Sequence, residues 1–334
     1  MDRDFAMRTL LIVLVLLATM QMAFPQTESG SDLLGRGINL GNMMEASKEG
    51  DWGLRFEDDF PTLIKEAGFE HVRIPIRWST HSSSSPPYLI EDEFINRVKH
   101  VVDACRRAGL KVIVNVHHFE PLYAEPDKHH DWLNAIWQQI STAFVDADDQ
   151  LYFEILNEPH GELNEQLWNS ILIETLAVIR RQHPHRWVII GPAPWNGIGG
   201  LDKLSLPSAD QRLIVTAHYY LPFKFTHQGA SWVDPTPPPG TTWLATAEQV
   251  RELEQDFDRV AAWGNREGRP IYIGEFGAYQ AAPTESRVVW TKHVREACER
   301  RQFGWAYWEL AAGFGVLDKE SRTWRADLLK ALVE

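Results

Sequence analysis

Cysteine is nearly absent: the 334 residues hold two, Cys105 and Cys298. That excludes a small scaffold stapled by disulfides. Both fall in helix-like segments far apart in the chain (residues 101–107 and 294–301). They read as free, packed thiols, with a disulfide between them as the alternative. Basic charge is also in short supply, with 33 Lys and Arg against 46 Asp and Glu, a formal net charge of −13. Phosphate binding needs the opposite balance, so nucleic acid is excluded as a partner and a neutral or weakly polar substrate fits better. Low-complexity tracts, internal repeats and linkers are lacking too. The one long apolar run of targeting type is residues 10–18, preceded by Arg3 and Arg8 and followed by Ala23. This reads as a secretory signal over residues 1–25, removed to leave a catalytic domain over 26–334. The run is short for a membrane span, so an uncleaved anchor is the weaker alternative. The expectation is a secreted or periplasmic protein, a monomer, with no membrane association after cleavage.

What is present is alternation. Short runs rich in Val and Ile recur at residues 37–40, 71–76, 111–116, 151–156, 187–190, 213–217, 271–273 and 304–307. Such runs suit parallel strands buried on both faces. Amphipathic, helix-like segments lie between them at 56–67, 92–108, 132–145, 164–182, 247–267 and 284–301. Glycines at 68 and 109 stop two of these just before the next strand. Eight strand–helix units predict a single (β/α)8 TIM barrel of the α/β class. A doubly wound open sheet is the alternative, since the fifth crossover (201–206) offers little helix. One helix's length follows the eighth strand, so no appended binding domain is expected. The segment 221–242 has no regular period yet carries Phe223, Phe225, His227 and Trp232, which marks it as a functional loop after strand six.

The strand ends carry the chemistry. Strand four runs Leu151-Tyr152-Phe153-Glu154-Ile155-Leu156-Asn157-Glu158-Pro159, and strand seven runs Ile271-Tyr272-Ile273-Gly274-Glu275-Phe276-Gly277. A glutamate at the C-terminal end of a buried strand is costly unless it acts. Two such ends in one barrel would face each other, and paired carboxylates are the equipment of glycoside hydrolysis. Other strands end in polar groups at the same level: Asn42 and Glu45 after strand one, Arg73 in strand two, His117-His118 after three, His218-Tyr219-Tyr220 after six and Trp308-Glu309 after eight.

Together, Val72-Arg73-Ile74-Pro75, Asn115-Val116-His117-His118, Leu156-Asn157-Glu158-Pro159, His218-Tyr219-Tyr220, Gly274-Glu275-Phe276-Gly277 and Tyr307-Trp308 resemble glycoside hydrolase family 5, the cellulase-type enzymes, over roughly residues 34–334. The resemblance implies a retaining double displacement, with Glu158 as acid/base and Glu275 as nucleophile. Arg73 would hold the charge of Glu275 and depress its pKa, and Tyr220 would bond the same carboxylate. Glu158 would be raised by a dry site or by the charge of Glu275. Asn157 is placed for the sugar 2-hydroxyl, His117 and His218 for orienting this network, His118 beside them as a supporting residue, and Trp308 as the platform under the cleaved sugar. No cofactor and no metal are implied.

Plainer readings stand beside these. Arg73 alone fits a structural ion pair. His117-His118 could hold a metal, but neighbours on a strand point to opposite faces. Glu154 shares the strand parity of Glu158 yet sits deeper, so a barrel-interior or ion-paired role is expected. His129-His130 and Trp52 are expected in loops, Trp78, Trp195 and Trp232 as sugar platforms or core, and Asp131 and Glu309 as structural. The segment from Phe223 to Trp232 resembles the endoglucanase branch that often accepts glucomannan, and Asn42 and Glu45 resemble that branch's distal sugar contacts. The favoured substrate is a β-1,4-glucan, with mannan as the alternative. A carbohydrate-binding barrel without catalysis and a metal-using hydrolase are the rivals from other classes.

Overall fold

The structure is a computed structural model that describes residues 28–334; the expected signal at 1–25 lies outside the described residues. Eight parallel strands pair in sequence order and close: β1 (Arg36–Asn39), β2 (His71–Ile74), β3 (Lys111–Asn115), β4 (Leu151–Glu154), β5 (Val188–Ile190), β6 (Leu213–Tyr219), β7 (Ile271–Phe276) and β8 (Gly304–Tyr307), with β8 bonded back to β1. This is the expected (β/α)8 barrel. The fifth crossover is thin, as its sequence foretold: a 3-10 turn, Ile198–Lys203, stands where a full helix would pack.

The outer ring is built from α1 (Phe60–Glu66), α2 (Asp92–Arg107), α3 (Pro126–Ala143), α4 (Glu165–Arg180), α5 (Ala247–Glu267), α6 (Thr284–Arg300) and α7 (Ala326–Val333). Helix α2 buries Phe94, Val98, Val101, Val102 and Cys105, one stripe at helical spacing. Its first turn holds Asp92 and Glu93 and its last Arg106 and Arg107, matched to the helix dipole. Helix α5 starts at a Thr246–Gln249 capping box and stops at left-handed Gly268. His129 and His130 lie within α3, not in a loop as expected; Pro126 at the helix start extends the helix upstream of the apolar period that begins at Trp132. Cys105 and Cys298 are buried and unpaired. No helix among the described residues is long and apolar enough to cross a membrane.

Strand parity decides what fills the barrel. Ile113, Tyr152, Ile214 and Tyr272 pack in its apolar lower layer with Leu33 and Leu34, from a short helix under the barrel floor. Two residues further along the same strands, and so on the same face, stand Asn115, Glu154, Thr216 and Gly274. Asn39 and Arg73 complete this second layer, and all the polar ones are fully buried. The barrel base is thus largely apolar, with a buried polar residue, His71, bonded to the Leu34 carbonyl and the Tyr272 hydroxyl, and the layer just beneath the C-terminal mouth, where barrel sites form, is polar.

Candidate active site

Arg73 organises the polar layer. Its guanidinium lies in a fork on Glu154 (Nε to Oε2 2.6 Å, Nη2 to Oε1 2.7 Å). It also donates to Glu275 Oε1 at 2.6 Å, Asn39 Oδ1 at 2.9 Å and Asn157 Oδ1 at 2.7 Å. All five donors are thereby used. Glu154 is the ion-paired interior residue that its depth suggested. Asn39, from β1, adds bonds to the carbonyls of Gly274 and Tyr307. It was missed in the sequence, although an amide inside the buried run Gly37–Leu40 was a signal.

Above this layer sit the two glutamates. Tyr220 donates to Glu275 Oε2 at 3.0 Å. His218 Nδ1 lies 2.7 Å from Glu158 Oε1 and 3.6 Å from Glu275 Oε2. The register of β6 against β7 shifts between Ala217 and His218, which pairs His218 with Glu275; such irregularities re-aim side chains at barrel rims. One oxygen of Glu158, one ring nitrogen of His218 and one oxygen of Glu275 all lie within 4.8 Å of one another. That trio is also the group among the described residues close enough to share a cation. His117 and His118 sit edge to face at 4.6 Å, unlike a chelating pair.

Burial raises the Glu158 carboxyl to about 7, the charge of Glu154 pushes the same way, and Arg73 and His160 oppose it. Burial also raises Glu275, against the pull of His218 and Arg73. The expectation that Arg73 leaves Glu275 depressed is therefore corrected: its charge acts in that direction, but desolvation is larger. Of the pair, only Glu275 has both the guanidinium and a tyrosine hydroxyl bound directly, so it ionises first. Burial holds His218 at about 4, a neutral ring.

The motif glycines have a steric reason. A Cβ at Gly277 would lie 2.2 Å from the Trp308 carbonyl oxygen, and one at Gly274 2.6 Å from Thr216 Oγ1. The loop after β8 can then bring Trp308 over the site, its ring parallel to that of His117 at 5.8 Å. Trp232 (60 % exposed) stands edge-on to Tyr279, and Trp195 (53 % exposed) stacks on His160 at 3.5 Å. Trp52 is exposed in a turn and meets His118 edge-on. His160 was overlooked because only its partner's fold position makes it part of a wall.

The structure decides one open reading and corrects one expected contact. Trp78 is wholly buried with its ring N–H on the Asn115 carbonyl, so it is core. Glu45 is wholly buried too, its carboxylate bound by the amides of Asn42 and Met43; it shapes the loop after β1 and cannot reach a sugar. Asn42 itself is half-buried at a left-handed φ of 63°. Glu309 does for the last loop what Glu45 does for the first, accepting from the amides of Ala311, Ala312 and Phe314. Asp131 lies on the surface beside His130.

A family model described as Cellulase (glycosyl hydrolase family 5) matches residues 29–313. The chain belongs to glycosyl hydrolase family 5. Among relatives of this family 5 barrel, Endoglucanase H of Acetivibrio thermocellus is 34% identical over 306 residues, which cover 90% of the chain and 33% of the relative. The chain thus spans about a third of that protein's length. Among solved structures, Thermotoga maritima Cel5A in complex with cellobiose is 48% identical, with a TM-score of 0.89 and coverage of 91% of this chain and 98% of that one. The same protein in complex with mannotriose also gives 48% and 0.89, covering 90% and 98%.

The buried titratable groups of this family 5 barrel predict how its stability follows pH. Glu45 at about 8, Glu158 at about 7 and Glu309 at about 7 keep protons that an unfolded chain loses near 4.5. Their contribution is full below 4.5 and is lost as pH rises toward 8. His71 at about 3, and His118, His218 and His227 at about 4, refuse protons that an unfolded chain takes near 6.5. Their contribution is full above 6.5 and is lost as pH falls toward 4. The two sets offset each other between 4.5 and 6.5. The melting temperature, scanned by fluorimetry, is expected to plateau there and fall on both sides. A melting temperature still climbing from pH 6.5 to 8.5 would refute the assignment of the buried carboxyls.

Proposed function

We propose that this family 5 chain is a retaining endo-β-1,4-glucanase that hydrolyses internal bonds of cellulose or β-glucan. The observation that carries the reading is that an oxygen of Glu158 and an oxygen of Glu275 lie within 4.8 Å of one another. An inverting pair must leave about 6.5–9.5 Å for a water; a retaining pair stands at about 5–5.5 Å.

In this reading Glu275 attacks the anomeric carbon, its negative charge held by Arg73 and aimed by Tyr220. Glu158 gives its proton to the leaving oxygen. A glycosyl–enzyme ester forms at Glu275, and Glu158, now a carboxylate, takes a proton from the water that opens it. Asn157 spends its oxygen on Arg73, which leaves its NH2 for the 2-hydroxyl of the sugar. Trp308 lies under that sugar and His117 backs it. The reading needs no cofactor. Export directed by residues 1–25 and action as a monomer complete the proposal.

Glu158 at about 7 sets the alkaline limb of kcat/KM. Hydrolysis of cello-oligosaccharides is expected to fall above pH 7, as the acid form is lost. A limb still flat at pH 9 would remove Glu158 from that role. Tyr220→Phe deletes one bond to Glu275 and is expected to lower kcat on the order of tenfold while KM stays within about twofold; a KM change alone would place Tyr220 in binding.

Mannan is the second reading, favoured by the relative solved with mannotriose. Glucose and mannose differ at C2, and one hydroxyl discriminates strongly only where a polar group is built to bond it. Reducing-sugar release on barley glucan, carboxymethyl-cellulose, glucomannan and galactomannan, run side by side, decides it. We expect the glucans first and glucomannan second; galactomannan hydrolysed fastest would make this a mannanase.

A further inference from the structure

Asn196 stands at the end of the fifth strand's loop, wholly buried, at a left-handed φ of 49°. It grips His218 twice. Its carbonyl accepts from the His218 backbone N–H at 2.8 Å, and its Nδ2 lies 3.4 Å from His218 Nε2. The neighbouring Gly197 bridges to His218 in the sheet direction. An amide placed this way decides where a neutral imidazole carries its one proton.

With Asn196 Nδ2–H donating, Nε2 must accept, so the proton is on Nδ1 and points at Glu158 Oε1. The opposite arrangement needs the amide turned over. Its NH2 would then face Gly191, whose Cα is so close that a Cβ there would sit 2.2 Å from Asn196 Oδ1. As it stands, Oδ1 is a buried carbonyl oxygen without a partner. Turning the amide would instead strand buried N–H groups, the rarer and costlier defect.

We propose that Asn196 is a positioning residue that fixes the Nδ1–H tautomer of His218 and thereby assigns the catalytic proton of Glu158 to one oxygen. The inference rests on the acid/base reading of Glu158. His218 Nδ1–H caps Oε1 in both halves of the cycle, so the proton delivered to the leaving oxygen resides on Oε2. That oxygen has no protein hydrogen-bond partner among the described residues. After delivery, the same Nδ1–H stabilises the carboxylate that must activate water. Without Asn196 the ring can place its proton on Nε2. Bare Nδ1 then takes the Glu158 proton as a hydrogen bond and turns it away from the substrate.

Two readouts test this. Nitrogen-15 NMR of histidine-labelled protein should show His218 protonated at Nδ1 in the parent, and at Nε2 or at both nitrogens in Asn196→Asp, which offers only acceptors. A parent spectrum with the proton on Nε2 overturns the proposal. In Asn196→Leu, cello-oligosaccharide hydrolysis should fall on the order of tenfold, part of what general acid catalysis supplies. A 2,4-dinitrophenyl cellobioside, whose leaving group needs no proton, should lose less than about twofold, both substrates being compared by kcat/KM, which ends at the glycosyl–enzyme and leaves out the later water step. Equal loss on both substrates means simple misplacement and overturns the proposal. Glu158→Gln is assayed in parallel: if it too loses equally on both, the acid/base reading itself falls, and the two failures are thereby told apart. Asn196→Asp, nearly the same shape, carries the kinetic comparison if the leucine variant melts early.

Discussion

Replacing Glu275 by alanine is expected to remove roughly 10⁴–10⁶ of kcat, the scale seen when a covalent nucleophile is deleted elsewhere. The structure argues for so large a loss. Glu275 Oε1 is held by Arg73 and Oε2 by Tyr220, so no other carboxylate can take its place; Glu154 is tied in a fork beneath. The cavity left by the side chain would keep its cationic wall. Azide should enter it, attack an aryl cellobioside from the same side, and release the glycosyl azide with inverted configuration. Rescue by azide with retained configuration would exchange the roles of the two glutamates. Glu275→Gln keeps the volume but cannot form the ester, so near-parent turnover in that variant would end the double-displacement reading altogether.

Much of this site was legible because a barrel converts strand order into geometry. Once eight buried runs are counted, the inward-facing polar residues at the strands' C-terminal ends share one mouth, and Arg73, Asn157, Glu158, His218, Tyr220 and Glu275 were found that way. Glu154 could be set apart from Glu158 by depth alone. What escaped were features that depend on partners rather than on position. Glu45 looks like a site residue in a linear reading, yet loop amides claim it, and Trp78, which reads equally as platform or core, is settled as core only by its bond to a strand carbonyl. His160 and Trp195 come from different loops, and their stacking is a property of the packed mouth. Asn196 follows Trp195 in a run without period, so nothing local shows that it meets His218. The raised carboxyl of Glu275 could not be read from composition either. It reflects a balance in which the neighbour, Arg73, was visible and the degree of burial was not.

Arg73 is the second large effect, and it separates stability from catalysis. Arg73→Met fills a similar volume but leaves Glu154 and Glu275 buried without their cation. Breaking one side of a buried ion pair costs roughly 3–5 kcal/mol, enough to lower the melting temperature by several degrees in a domain of this size. Glu275, which burial already pushes up, reduces that cost by taking up a proton, which is the wrong state for a nucleophile. Turnover should therefore collapse at pH 5–6, and what remains should recover as pH rises, because the acid limb of kcat/KM moves up with the pKa of Glu275. Arg73→Lys keeps the charge and loses the fork, since an ammonium offers a point where the guanidinium offers a plane. It should melt closer to the parent than Arg73→Met does, yet still lose most activity, because Glu154, Asn157 and Glu275 are no longer held on one rigid frame. Double substitution tests the electrostatic part of the argument. Adding Glu154→Gln to Arg73→Met removes one of the two orphaned charges, so it should regain stability without regaining turnover. If the double variant melts no higher than Arg73→Met, the ion pair is not what holds the polar layer, and shape alone carries it.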